Sequence, residues 1–95
     1  MFIISLTYIK DLEVVESNLK KHVEYVKEQY AKGLFIASGR KVPRTGGVIL
    51  SNVKDKEELM DVLKEDPFYK NEVAKYDIIE FIPSMTSKEL NFLLD

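Results

Sequence analysis

The chain has no cysteine, so neither a disulfide nor a thiolate metal site can hold it together. That absence suits a reducing compartment, and a cytoplasmic location is expected. With one histidine and scattered carboxylates there is no recognisable metal-ligand spacing either, so no metal is expected. No apolar run approaches the roughly 20 residues that span a bilayer. Met1 to Tyr8 is apolar but lacks a basic lead and turns polar by Lys10, so it does not read as a secretory signal. Neither sign of charge dominates: 14 Lys and Arg residues against 16 Asp and Glu leave a net charge of −2. Lys20 and Lys21 are followed by Glu24 and Glu28, and Lys54 and Lys56 by Glu57 and Glu58. The cluster Arg40, Lys41, Arg44 is too short to form the basic face that nucleic acid requires. Gly46-Gly47 lacks the spacing and the following Lys-Ser or Lys-Thr of a phosphate loop. No nucleophile-elbow motif surrounds Ser38. Organic cofactors are not expected.

What is present reads as one domain over residues 1–95, too short for two independent cores, with 45% apolar and 32% charged residues. Met1 to Tyr8 alternates with a strand period. Asp11 caps a helix in which Leu12, Val15, Leu19, Val26 and Tyr30 recur at helical spacing, and Gly33 stops it. Leu34 to Ser38 is a short strand, Gly39 to Gly46 a polar loop, and Val48 to Val53 a third strand opened by Gly47. Asp55 with Glu58 forms a capping box before Leu59, Val62 and Leu63, and Pro67 ends that helix by Asp66. Tyr76 to Ile82 is the last strand, closed by Pro83, and residues 84–95 form an extension with a short helix. The order strand, helix, strand, strand, helix, strand predicts an α+β, ferredoxin-like arrangement: a four-stranded antiparallel sheet with both helices on one face.

Helices cover one face of such a sheet, yet both faces carry apolar residues. Ile79 and Phe81 oppose Ile78 and Ile82, and Val48 and Leu50 oppose Ile49. A half-wet sheet would show polar residues on its open face. The economical expectation is a homodimer formed sheet to sheet.

His22 lies three positions after Leu19 and four before Val26, on their inward stripe. Such a polar group must find a partner or lose solvation. From position alone it reads first as a core histidine bonded to a backbone carbonyl, and otherwise as a general acid–base group. Asp66, before Pro67 and the aromatics Phe68 and Tyr69, is a common turn former and also the natural partner to orient and charge an imidazole. Ser38, Gly39 and Arg40 end the second strand. They read either as a solvated hairpin or as a ligand clamp, with a close backbone approach at Gly39 and an anion-binding guanidinium at Arg40.

Four segments in this order resemble the YciI-like (YCII-related) family: His22-Val23-Glu24-Tyr25-Val26, Gly33-Leu34-Phe35-Ile36-Ala37-Ser38-Gly39, Gly46-Gly47-Val48 and Asp66-Pro67-Phe68. The resemblance implies a dimeric α+β barrel and an active-site pocket with a histidine–aspartate pair, carried over to His22 and Asp66 as catalytic residues. It places Ser38 and Gly39 on the pocket wall; Arg40, Gly47 and Phe68, which stand beside these segments, are taken as further substrate contacts. Family members often carry proline after Ser-Gly; this chain has Arg40, which favours a more anionic ligand. Some relatives act on chlorinated hydroxyquinone-type aromatics, and the wider superfamily includes muconolactone isomerases and monooxygenases. Fold kinship transfers none of these reactions. The expectation is a small-molecule enzyme working by cofactor-free acid–base chemistry: an isomerase, lyase or dehalogenating step on a small anionic substrate. The alternatives are a metabolite-binding module that turns nothing over and a structural homodimer.

Overall fold

Strict alternation makes the first strand. In the computed structural model, which describes residues 1–94, β1 (Phe2–Tyr8) sends Phe2, Ile4 and Leu6 into the core, each 3% exposed or less. Asp95, the last residue of the expected extension, lies outside the described residues.

Helix α1 (Leu12–Ala31) begins where the Asp11 carboxylate accepts a hydrogen bond from the Val14 amide at 3.2 Å. It ends in a Schellman motif. Gly33 adopts φ 75°, the Leu34 amide bonds to the Gln29 carbonyl at 2.9 Å, and the Gly33 amide bonds to that of Tyr30 at 3.0 Å. The buried stripe runs through Val15, Tyr25 and Gln29, with Leu19 and Val26 packed partly against it. Leu12 and Tyr30, expected on that stripe, are 52% and 39% exposed. Leu12 is the first helical residue, at the margin of the core. Tyr30 follows the buried Gln29 and turns about 100° away, toward the sheet edge.

The hairpin of β2 (Phe35–Arg40) and β3 (Gly46–Ser51) is longer than expected at its tip. Gly39 and Arg40, read as the start of a loop, are strand residues paired with Val48 and Gly47. The ladder persists because the Lys41 amide bonds to the Gly46 carbonyl at 2.9 Å. Gly46 is where the sheet cannot tolerate a side chain. A Cβ there would sit 1.7 Å from the Leu6 carbonyl oxygen on β1. The strand stops at Ser51, short of the expected Val53. There the Ser51 hydroxyl bonds to the Leu34 carbonyl at 2.7 Å and accepts from the Val53 amide at 3.3 Å, turning the chain out of the ladder.

Helix α2 (Lys56–Leu63) is capped by Asp55, which accepts from the Glu58 amide at 2.8 Å, and it buries Leu59 and Leu63. It ends before Pro67, which opens a single helical turn, α3 (Pro67–Lys70). A turn at Glu72, whose φ is 53°, leads to β4 (Ala74–Glu80). That strand starts two residues before the expected Tyr76, because pairing with β1 already holds at Ala74 opposite Tyr8.

All neighbouring strands are antiparallel, in the order β2-β3-β1-β4, so the chain is an α+β protein with a four-stranded sheet. The core lies between one sheet face and the helices, where Phe2, Ile4, Ile49 and Phe35 meet Val15, Tyr25, Leu59 and Leu63. Alternation puts Ile3, Val48, Leu50 and Ile79 on the other face, and Ile79 is 57% exposed. Beyond β4 the chain carries exposed Ile82 and Met85 into a 3-10 turn at Lys88–Leu93. Among the described residues no helix is long and apolar enough to cross a membrane.

Candidate active site

Two elements bring the site together. His22 stands in the middle of α1, half-buried, on the side turned toward α3. Asp66 stands where α2 has ended and α3 begins, and its Oδ1 accepts from the Phe68 amide at 2.9 Å, capping the short helix. Although 44 positions apart in sequence, His22 Nδ1 and Asp66 Oδ1 lie 2.8 Å from each other. A carboxylate has no proton to give, so the bond places a proton on Nδ1 and leaves Nε2 of a neutral imidazole as an acceptor.

Asp66 is fully buried, and its other oxygen, Oδ2, accepts from the Tyr76 hydroxyl at 2.5 Å. It lies behind the imidazole and does not line the cleft in front of it. The capping bond and Tyr76 hold it beneath the surface that His22 and Phe68 present. The Phe68 ring lies parallel to the imidazole, with centroids 3.9 Å apart and planes 4° apart. Tyr8 meets Phe68 edge-on at 6.0 Å. Burial, with Asp66 nearby, pushes the Tyr76 phenol well above the ordinary tyrosine range, and the hydrogen bond to Asp66 adds to the rise. Burial and the charges of Asp66 and Glu65 do the same to Tyr25, whose hydroxyl bonds to the Val62 carbonyl at 2.7 Å. Neither phenol is an acid at neutral pH; both serve as donors.

In front of the imidazole lies a cleft of about 270 Å³. His22 and Phe68 line it from the helices, and Ser38, Gly39, Arg40, Gly47, Leu6 and Ile49 line it from the sheet. Of the seven residues singled out from the sequence, six line this cleft, and Asp66 alone stands behind it. The outward end of β2 reaches the cleft because the strand carries a bulge. Phe35 pairs with Ser51 but Ala37 pairs with Leu50, so one extra residue shifts the alternation. Ser38 and Arg40 therefore pair with Ile49 and Gly47, which share the helix-covered face with Ile4 and Leu6. Simple alternation from Phe35 would have put them on the opposite face. Tyr30 holds the Ser38 side chain, its hydroxyl 2.7 Å from the Ser38 hydroxyl.

Two ionisable lining residues were missed in the sequence. Lys27 and Tyr8 both face the cleft. The signal for Lys27 was available: it stands five residues after His22 on the same helix, with Val23 and Val26 between them on the cleft side. The cleft lining carries the cations Lys27 and Arg40 and no carboxylate, so its field favours an anion. A broader groove between α1 and α2 is net acidic, with Glu24, Glu28, Glu58, Asp61 and Glu65 outnumbering Lys21 and Lys32 in its lining. Among the described residues no group of three or more His, Asp or Glu side chains is placed to hold a metal ion.

With this geometry in view, the chain was compared with known proteins. The model of the YCII-related domain matches residues 1–82. No curated protein matches the chain. Among solved structures, it is similar to 5-chloro-2-hydroxyhydroquinone dehydrochlorinase (TftG) of Burkholderia phenoliruptrix in complex with 2,5-dihydroxybenzoquinone. The TM-score is 0.70 at 16% identity, covering 85% of this chain and 93% of that one, a likeness of fold.

Proposed function

The chain belongs to the YCII-related family, and from that premise we propose that it is a small-molecule enzyme whose His22–Asp66 pair moves a proton on a small anionic substrate. One observation carries the reading. The only histidine of the chain lines a cleft bounded by Lys27 and Arg40, and its Nδ1 is held at 2.8 Å by a fully buried carboxylate. Asp66 fixes the tautomer, Nε2 accepts a proton from the substrate, and the carboxylate stabilises the imidazolium that forms. Lys27 and Arg40 hold the anion, and Ser38 with Gly39 borders it on the β2 side. Isomerisation, elimination and dehalogenation all begin with such a transfer. The likeness to TftG, an enzyme solved with a small cyclic ligand, supports a reaction of this class.

The sheet face bearing Ile3, Val48, Leu50 and Ile79 is proposed as the contact of a homodimer, and sedimentation of the purified protein tests it. The cytoplasmic location remains part of the proposal.

The experiment is carbon-bound deuterium exchange. The protein is incubated in D2O with a panel of small hydroxylated aromatic and aliphatic acids, 2,5-dihydroxybenzoquinone among them, and washed-in deuterium is followed by NMR. Exchange is expected with at least one compound, falling about 10²–10⁴-fold in His22→Ala. Binding without exchange, or exchange untouched by the substitution, would overturn catalysis. The first outcome favours the binding-module reading, which has its own support: Asp66 already has a structural task as the cap of α3.

A further inference from the structure

The His22–Asp66 pair accounts for one oxygen of the carboxylate. The other is claimed by a residue that neither family resemblance nor sequence spacing brought forward. Tyr76, on β4, places its hydroxyl 2.5 Å from Asp66 Oδ2. His22 reaches the other oxygen, Oδ1, from α1. We propose that Tyr76 is a positioning residue that sets the proton affinity of the His22 imidazole through Asp66.

A buried carboxylate flanked by an imidazole and a phenol divides its negative charge between two donors. Charge drawn to Oδ2 by the Tyr76 hydroxyl is charge not offered to Nδ1 at Oδ1. Removing the hydroxyl leaves His22 as the sole side-chain donor to Asp66, so the imidazolium is held more tightly and loses its proton at higher pH. The phenol is suited to this role because burial and Asp66 hold it protonated far into the alkaline range. It donates throughout the range in which an imidazole titrates.

The ionisable groups on every side are few. Tyr25 from α1 senses Asp66 electrostatically but spends its hydroxyl on the Val62 carbonyl. Tyr69 from α3 packs against the Tyr76 ring at 5.3 Å, and Glu65, at the end of α2, acts on Tyr25. Lys27 of α1, Arg40 of β2 and Tyr8 of β1 line the same cleft as the imidazole. Of these, only Tyr76 donates to the carboxylate that His22 uses.

As His22 is the only histidine, its ring protons give an isolated NMR titration in the ligand-free protein. Tyr76→Phe is expected to raise the His22 midpoint by on the order of half a pH unit. Tyr25→Phe, which removes a phenol of similar burial without touching Asp66, is expected to move it far less. Site-specific 3-fluorotyrosine at position 76, a stronger donor, is expected to move the midpoint the other way. If Tyr76→Phe does not fold, the fluorinated protein carries the test alone. A His22 midpoint that stays put in a folded Tyr76 variant, or one that Tyr25→Phe moves equally, overturns the proposal. The inference rests on the acid–base reading only for its bearing on turnover, and the titration needs no substrate. A shifted midpoint with no deuterium exchange by any variant would retain the Tyr76 coupling and discard catalysis. Exchange with an unmoved midpoint would do the reverse.

Discussion

Replacing Asp66 in two ways separates its charge from its hydrogen bonds. Asp66→Ala orphans three donors: the buried Phe68 amide, the Tyr76 hydroxyl and His22 Nδ1. Loss of an N-cap costs about 1 kcal/mol, and each buried donor left without a partner about 1–3 kcal/mol. Tyr76 and His22 are half-buried and recover part of this from water, so the sum is roughly 3–5 kcal/mol, a large share of a small domain's stability. Asp66→Asn keeps an acceptor at Oδ1 for both the Phe68 amide and Nδ1–H, and turns its amide toward the Tyr76 oxygen, which can accept. It loses the charge and little else, about 1 kcal/mol. Urea unfolding followed by circular dichroism at fixed protein concentration reads the difference. With a slope of about 1–2 kcal/mol per molar, the midpoint falls by roughly 1.5–5 M for alanine and by about 1 M or less for asparagine. Equal unfolding midpoints for the two variants would refute the three-donor account of this carboxylate.

Gly46→Ala is expected to abolish folding or cost at least about 4 kcal/mol, because its Cβ would meet the Leu6 carbonyl at 1.7 Å in the middle of the sheet. Gly39→Ala, with open space around it, should leave the unfolding midpoint nearly unchanged, so equal losses in the two variants would contradict the packing described. Alkaline pH should destabilise the fold. Tyr25 and Tyr76 have native phenol values raised above the ordinary 10.0, so the native state keeps protons that the unfolded chain releases. Their contribution is whole below that value and is lost above it, at about 1.4 kcal/mol per pH unit for each retained proton. Unfolding free energies that stay level from pH 9.5 to 11 would count against both assignments. Arg40→Gln and Lys27→Gln should each weaken binding of anionic panel compounds several-fold and flatten its salt dependence, measured by NMR titration.

Much of the fold was legible because its signals are local. Asp11, Asp55 and Gly33 act on their own helix ends, through bonds to Val14 and Glu58 and a left-handed turn. Strand period and element order were equally plain in Phe2, Ile4 and Leu6. Boundaries were harder wherever a partner strand decides them. β2 runs on through Gly39 and Arg40 because β3 offers Val48 and Gly47 to pair with, a fact no local pattern contains. Tyr30 was misplaced for a similar reason: helical spacing gave it a face, but Phe35 and Ser38 on β2 give it neighbours at the sheet edge. Tyr76 read simply as the start of a strand, because its partner Asp66 comes from another element.

The site shows where pattern reading stops and geometry takes over. Ser38, Gly39 and Arg40 were picked out as a strand end beside a ligand, yet the strand's plain period contradicts that choice. With Phe35 buried on the helix-covered side, the period of two assigns Ala37 and Gly39 to that side and turns Ser38 and Arg40 away. The bulge between Phe35 and Ala37 reverses the assignment. One extra residue in an edge strand thus decides the charge of the cleft. It brings a guanidinium to the side where Lys27 already stands, and it brings the Ser38 hydroxyl to Tyr30. Without the bulge, the cleft would keep His22 and its buried partner but lose one of the two cations that line it. The acid–base pair and the anion-holding wall therefore have separate origins, the pair in two helix positions and the wall in a register shift. Substitutions that damage one should leave the other intact.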